Sequence, residues 1–179
     1  MKTKPKLILI LMLILSMLAQ AACSSSTGAC PTPTSETKLL TNADDGYCLL
    51  HPAEYSTSLP DYIVINPVSG QVEAIGEAWL YIAISPASGR TAAQIADEQI
   101  AALGEGFNIT RFEVDVDSEK AVVVDGLPAR DSARYVFIVH NDRLFNLIFM
   151  PWYPNAAEPT ALENLYTMTM DTLHFLPHE

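Results

Sequence analysis

The sequence predicts an α+β domain in which helices pack on an antiparallel β-sheet. Short apolar runs, rich in β-branched and aromatic residues and bounded by turn residues, indicate strands. A capping box marks one helix between these runs, and apolar residues at helical spacing mark another near the carboxyl end. The elements follow the order β-β-β-α-β-β-β-β-α, which is typical of a layered α+β sandwich.

Three strands are predicted before the first helix, over residues 47–50, 62–65 and 79–84. The continuous apolarity of the third run indicates that both of its faces are covered. A helix then begins at Thr91, because Thr91 and Gln94 have capping-box spacing, and it stops at Gly104. The stripe expected to pack inward consists of Ala92, Ile95, Ala96, Ile100 and Leu103.

Four more strands are predicted over residues 109–116, 121–124, 134–139 and 144–150. The short turns between them favour an antiparallel meander, and apolar residues on both faces of the third strand require cover on both sides. The closing helix follows Pro159, which suits a first helical turn. Its apolar face is expected to contain Leu162, Leu165, Tyr166, Thr169 and Leu173.

Residues 1–22 are interpreted as a secretory signal sequence. Three lysines precede an apolar run that only Ser16 and Gln20 interrupt. The apolar core over residues 7–18 spans about 18 Å as a helix, against about 30 Å of hydrocarbon in a bilayer, so a permanent transmembrane anchor is the weaker interpretation.

Two cleavage sites overlap at the end of this segment. Residues 19–21 fit the small-x-small rule of ordinary signal peptidase. Cys23, preceded by two alanines and followed by serines, resembles the lipidated cysteine of a lipobox, although Gln20 stands where Leu is usual. We expect acyl chains on Cys23 to anchor the mature protein to a bacterial cell membrane, outside the cytoplasm. Simple secretion is the alternative.

Residues 23–45 are predicted to be a flexible tether, because Ser, Thr and Pro dominate and only Leu39 and Leu40 form an apolar pair. Residues 46–179 then form one domain. Removing residues 1–22, which contain three lysines and no acidic residue, takes the net charge from −11 to −14. Such a charge repels phosphate backbones, so nucleic acid is not an expected partner.

Lipidation of Cys23 leaves Cys30 and Cys48 as an even pair in an oxidising compartment. A disulfide between them is one interpretation. A free Cys30 and a buried Cys48 is the other, because Cys30 lies in the predicted tether and Cys48 in a strand.

The element order and four short segments resemble the PsbP-like superfamily, which includes the photosystem II extrinsic protein PsbP and envelope lipoproteins of the LpqN and DcrB type. The segments are residues 47–52, the helix that begins at Thr91, residues 124–130 before a hairpin, and residues 175–177. The resemblance covers residues 46–177 and implies an α/β/α sandwich. It also implies a non-enzymatic accessory that binds or stabilises an envelope or membrane complex, and it carries over no binding residue.

No catalytic, metal or cofactor site is predicted. Asp115, Asp117 and Glu119 alternate as in a calcium loop, but Lys120 and Gly126 replace the required Gly and Glu, so we interpret them as the solvent face of a strand. The four histidines lack metal-ligand spacing, and neither a nucleophile elbow nor a phosphate loop occurs. The histidines are His51, His140, His174 and His178.

Trp152 and Tyr153 lie between two prolines and are residue types that anchor interfaces. They are candidates for contact with an envelope protein, although packing of Trp152 in the core is the stronger interpretation. We therefore expect a lipid-anchored binding or accessory module and not an enzyme. The alternatives are an envelope enzyme with a site assembled from distant residues, and an assembly or stress factor for exported proteins.

Overall fold

Two antiparallel sheets and two helices make up the part of the computed structural model that is described, namely residues 29–57, 62–65, 78–129, 132–153 and 160–177. The strands are β1 Thr37–Asn42, β2 Tyr47–Pro52, β3 Ser56–Thr57, β4 Tyr62–Ile65, β5 Ala78–Pro86, β6 Thr110–Val116, β7 Glu119–Asp125, β8 Arg134–His140, β9 Arg143–Met150 and β10 His174–Phe175. The helices are α1 Ala92–Ala102 and α2 Ala161–Thr172. The predicted α+β class is confirmed. The predicted signal sequence, Cys23 and Pro159 lie outside the described residues.

The larger sheet has seven strands in the order β3-β4-β5-β9-β8-β7-β6, and the smaller has the order β1-β2-β10. The four-strand meander is confirmed, because β6 to β9 pair antiparallel with their neighbours in sequence. Asp117 and Ser118, then Asn141 and Asp142, have positive φ at the tips of its first and last hairpins. These two-residue turns match the twist of the strands that they join.

The two faces of the larger sheet carry separate cores. Val136 and Ile138 lie in a cluster with residues of α2 and of the smaller sheet, whereas Phe137 packs with Ile95 and Ala96 of α1. The predicted cover on both faces is thus confirmed for β8. It is partial for β5, where Leu80 and Ile82 are buried but their neighbours are half-buried, since α1 lies over β7 and β8.

Both helices begin with a capping box. The Thr91 hydroxyl accepts a hydrogen bond from the backbone N–H of Gln94, and the backbone N–H of Thr91 donates one to the side-chain oxygen of Gln94, as predicted. Thr160 and Glu163 do the same for α2, so this helix begins at Ala161. In α1 the residues Ala92, Ile95 and Ala96 are buried, while Ile100 and Leu103 pack at the edge of the same core.

The predicted flexible tether is wrong in its second half. Thr37–Asn42 forms β1, which pairs along its whole length with β2, and Leu40 is buried opposite Leu49. The segment is polar because β1 is an edge strand with most of its side chains in water, while the β2 ladder satisfies its backbone. The domain therefore begins well before residue 46.

Candidate functional site

A buried ion pair stands at one end of the larger sheet. Arg134 begins β8 directly opposite Asp125 at the end of β7. The guanidinium donates two hydrogen bonds to the carboxylate, Nε to Oδ1 at 2.8 Å and Nη2 to Oδ2 at 2.7 Å. The side chains are 13% and 12% exposed. This two-pronged, charge-assisted geometry fixes the orientation of the guanidinium plane.

Three aromatic rings surround the guanidinium. Its central carbon lies 3.9 Å from the centroid of Trp152, 4.7 Å from that of Tyr166 and 5.4 Å from that of Phe112. A cation at these distances is attracted by the negative faces of the rings. Since the rings come from the loop after β9, from α2 and from β6, the guanidinium connects three elements. We name Arg134, Asp125, Phe112, Trp152 and Tyr166 the Arg134 cluster.

Burial raises the pKa of Tyr166, and the nearby positive charge of Arg134 opposes this rise. The ring of Tyr166 also makes edge contacts with Phe149 and Trp152. The phenol therefore stays neutral at physiological pH and packs as part of the core.

Trp152 is buried, so it is not available as the exposed contact residue that its residue type and its position between two prolines suggested. Its ring is buried, its backbone N–H donates to the carbonyl of Ser132 at 2.7 Å, and it packs on Phe149. The packing interpretation of Trp152 is the one that the structure supports. Tyr153, the other candidate, is 58% exposed and lies beside the Arg134 cluster.

Strand β6 borders the same cluster. It is the last strand in the order of the larger sheet, and its first four residues, 110–113, are exposed. Phe112 shows 36% of its surface while its ring faces Arg134. Arg111 bridges to Asp97 of α1, and Asp115 pairs with Lys120 across the hairpin. Among the described residues, β6 is thus an edge strand, and it carries an aromatic side chain between charged ones.

The acidic residues of the β6–β7 hairpin divide into two groups. Glu113 and Asp115 are exposed, as predicted for a solvated face. Asp117 instead accepts hydrogen bonds from the imidazole of His174 at 2.9 Å and from the backbone of Phe175 at 2.7 Å. Glu119 pairs with the Nδ1 atom of His140 at 2.8 Å. Asp117 and Glu119 therefore have structural hydrogen bonds and do not belong to the solvated face that the sequence predicted.

Two imidazole–carboxylate pairs consequently lie on either side of Phe175. The ring of His140 stacks on that of Phe175, with centroids 4.3 Å apart and planes 7° from parallel. The His174–Asp117 pair ties β10 to the meander, whereas the His140–Glu119 pair joins β8 to β7 and reaches β10 through the stacking of His140 on Phe175. Sequence reasoning missed them because their partners are distant in the chain, and only the alternating acidic residues marked one side.

His51 has a different environment. Its side chain is buried, and its Nδ1–H donates to the carbonyl of Pro52 at 2.9 Å. Burial lowers the pKa of His51, and the charge of Lys38 adds to this effect. The imidazole is therefore neutral at pH 7 and serves as a packed, hydrogen-bonded core residue. In the part of the chain that is described, no three His, Cys, Asp or Glu side chains are grouped to hold a metal ion.

Cys30 and Cys48 are joined by a disulfide, with Cα atoms 5.8 Å apart. The sequence left open whether these cysteines form a disulfide or remain free, and in the structure they form the disulfide. Because Cys48 is fully buried in β2, the bond fixes the segment before β1 to the domain. The chain between Cys23 and the domain is thereby shortened to the residues before Cys30.

No protein-family model matches the sequence, and no curated protein does so either. Among solved structures, the chain is similar to cyanobacterial PsbP from Synechocystis sp. PCC 6803, known from its solution structure. The identity is 11% and the TM-score is 0.46, over 88% of this chain and 99% of that one.

Across the residues that the structure describes, neither helix is long and apolar enough to cross a bilayer.

Proposed function

We propose that the protein is an exported, lipid-anchored and non-enzymatic module that docks an envelope protein along β6. The observation that carries the proposal is the distribution of exposed hydrophobic side chains. Four large ones occur among the described residues. Phe112 lies on β6, Phe107 just before it, and Tyr153 beside the Arg134 cluster, whereas Leu39 lies apart on β1. Grouped exposed apolar residues are typical of interaction sites.

The edge of β6 suits an extended partner segment. An edge strand has backbone N–H and C=O groups that a further strand can pair with, and side-chain contacts beside it supply specificity. Phe112 supplies aromatic contact area against Arg134, and Tyr153 follows Trp152, the ring that lies over the guanidinium. With a mature charge of −14, the chain favours a partner segment that is basic or neutral.

The anchor part of the proposal rests on Cys23. Six residues lie between Cys23 and Cys30, which makes seven steps along the chain to the point where the disulfide fixes it to the domain. At about 3.5 Å per residue, this link reaches about 25 Å. The domain would thus work close to the membrane surface, within reach of other envelope proteins. Acyl chains on a modified Cys23 supply the two hydrophobic chains that stable anchoring needs.

The binding proposal rests on the exposed aromatic residues and not on the imidazoles. His51, His140 and His174 each make a hydrogen bond through Nδ1 that maintains local structure. A hydrogen bond of this kind also occurs in catalytic histidines, so it does not distinguish a binding role from an enzymatic one.

The test is crosslinked pull-down of the anchored protein from intact cells. Changing Phe112 and Tyr153 together to Ser should weaken capture of the partner by about 2–4 kcal/mol, as loss of interface hot spots does. The matched control is Leu39→Ser, an exposed apolar residue on the other sheet, which should capture normally. Equal capture by all three proteins would exclude docking at β6. For the anchor, Cys23→Ser should release the protein from membranes, and unchanged partitioning would exclude lipidation.

A further inference from the structure

The direction of the backbone groups on β6 follows from the hairpin that joins it to β7. Asp117 and Ser118 form a two-residue turn with positive φ, and Val116 lies opposite Glu119. The residues that flank such a turn form a hydrogen-bonded pair, and along an antiparallel ladder every second pair does so. The even-numbered residues of β6 therefore bond to β7. The odd-numbered residues direct their N–H and C=O groups to the other side, where no strand lies among the described residues.

The odd-numbered residues of β6 are charged and share the sheet face that α1 covers. The Nε atom of Arg111 lies 2.8 Å from Oδ1 of Asp97 on α1, and its Nη1 atom lies 3.6 Å from Oε1 of Glu113. Asp115 is paired with Lys120 on β7 at 2.6 Å. The Glu113 side chain is 54% exposed, and 3.6 Å is longer than a hydrogen bond. The Glu113 carboxylate can therefore accept a hydrogen bond from a closer donor.

The even-numbered residues of β6 project from the opposite face, as the alternation of a strand requires. Val114 packs against the core that contains α2, and the ring of Phe112 lies against the guanidinium of Arg134. Phe112 nevertheless leaves 36% of its surface in water. A strand added beside β6 would cover this ring with its own side chains and remove apolar surface from water, which is favourable.

We propose that β6 pairs antiparallel with β6 of a second copy of this chain, in a two-fold dimer that places Phe112 opposite Phe112 and each Arg111 opposite Glu113 of the other copy. The outward backbone groups restrict the hydrogen-bonded pairs to odd-numbered residues. Moving the second copy by two residues in one direction sets Arg111 opposite Arg111, and in the other direction it sets Glu113 opposite Glu113. Like charges directly opposite each other are unfavourable, so the proposed register is favoured.

The contacts in this register are self-complementary, as a two-fold interface requires. Each Arg111–Glu113 pair exchanges two backbone hydrogen bonds and brings opposite charges together. The two Phe112 rings meet on the axis in a non-hydrogen-bonded pair, where side chains of adjacent strands lie closest. The mature charge of −14 opposes association at long range. Salt at about 0.15 M screens exposed charges beyond about 8 Å, so the charges that lie directly opposite each other decide the register.

The second copy covers the surface that the proposed function assigns to an envelope partner, and the inference rests on the edge of β6 being that binding surface. The dimer is then the state of the protein without its partner, and the partner must displace the second copy. Dimerisation is measured on the purified protein alone. Its failure would therefore leave docking to the pull-down experiment, and a failed pull-down would leave the dimer intact.

The test is sedimentation velocity of the mature Cys23→Ser protein, which carries no acyl chains. The parent should dimerise at concentrations up to about 100 μM, the range of a small interface. Arg111→Glu and Glu113→Arg each set like charges opposite, so each should weaken dimerisation at least about tenfold. An equimolar mixture of the two should form a mixed dimer with about the parent affinity, because each copy then faces only opposite charges. Asp44→Arg, on the exposed turn after β1, is the control for the charge change and should dimerise like the parent.

A cysteine at the axis tests the register separately. In the proposed pair the Cα atoms of residue 112 lie about 4.5 Å apart, a distance that a disulfide can span. Phe112→Cys should therefore form a covalent dimer on oxidation, whereas Asp115→Cys should not. The proposal is overturned if the parent stays monomeric at about 100 μM, if the single charge variants dimerise like the parent, if their mixture does not restore dimers, or if both cysteine variants crosslink equally. If Arg111→Glu does not fold, Glu113→Arg and the cysteine variants decide.

Discussion

Replacing Arg134 with Met should lower the free energy of unfolding by about 3–5 kcal/mol. The change keeps much of the apolar length of the side chain but leaves the buried carboxylate of Asp125 without its two hydrogen bonds. Removing one partner of a buried ion pair typically costs about 3–5 kcal/mol, because the other charge stays desolvated. Loss of the attraction to the rings of Trp152 and Tyr166 contributes about 0.5–2 kcal/mol to this range.

The double variant, Arg134→Met with Asp125→Leu, should cost less than Arg134→Met alone, because no unpaired charge remains. We expect a coupling energy of at least about 2 kcal/mol from urea unfolding of the parent, both single variants and the double variant. Arg90→Met is the control. Its ion pair with Glu98 is exposed, and its Nε also donates to the carbonyl of Ala87, so the loss of both contacts should cost about 1 kcal/mol, well below the cost of Arg134→Met. Additive single effects, or a loss below about 1 kcal/mol for Arg134→Met, would refute the buried-pair account.

Three further changes test other parts of the fold. Replacing both Cys30 and Cys48 with Ala should lower the free energy of unfolding by about 3 kcal/mol, since the disulfide joins residues 18 positions apart and closes the loop between them. A reductant should destabilise the parent protein and have no effect on this variant. His51→Gln should destabilise the protein most above pH 6.5. Burial lowers the pKa of the imidazole in the folded protein, so the stability that His51 contributes is lost as the pH falls below the pKa of His51 in the unfolded chain. A loss of stability in His51→Gln that grows on acidification would contradict this. Gly126→Ala should lower the free energy of unfolding by about 1–2 kcal/mol or more, measured by thermal unfolding. The reasons are that Gly126 has φ of +90° and that a Cβ would clash with the carbonyl oxygen of Asn108. An unchanged Tm would show that the loop moves to accommodate the Cβ.

The elements that sequence reasoning predicted well are those with a strong local signal. Alternating apolar residues and two-residue turns identified β6 to β9, and the spacing of Thr91 and Gln94 identified the start of α1. Thr160 and Glu163 carry the same signal for α2, which could have placed that helix start without Pro159. Such signals depend only on residues that are close in sequence, so they can be recognised without knowing the rest of the fold.

Elements stabilised mainly by partners distant in sequence were missed. β1 is polar in sequence, and what orders it is its ladder with β2 and the disulfide at Cys30. β10 has two residues and depends on Asp117, 58 positions before Phe175. No window of sequence contains both halves of such an interaction, so composition alone indicated a tether.

The Arg134 cluster shows the same limit at the candidate site. Trp152 and Tyr153 were identified together because their residue types favour contact, but their environments differ. The guanidinium of Arg134, 18 positions earlier in the chain, covers one face of Trp152 and leaves Tyr153 in water. Phe112 had no local signal at all. Its role depends on β6 being the edge strand, which is a property of the whole sheet order.

Site-specific photocrosslinking in intact cells tests docking at β6 most directly. A photoreactive phenylalanine analogue at position 112 replaces an aromatic ring that is already partly exposed, and the same analogue at position 39 probes the other sheet. The account predicts one discrete protein adduct from position 112, competed by excess unlabelled domain, and no such adduct from position 39. Adducts of equal yield and identity from both positions, or none from position 112 in cells that contain the anchored protein, would contradict it.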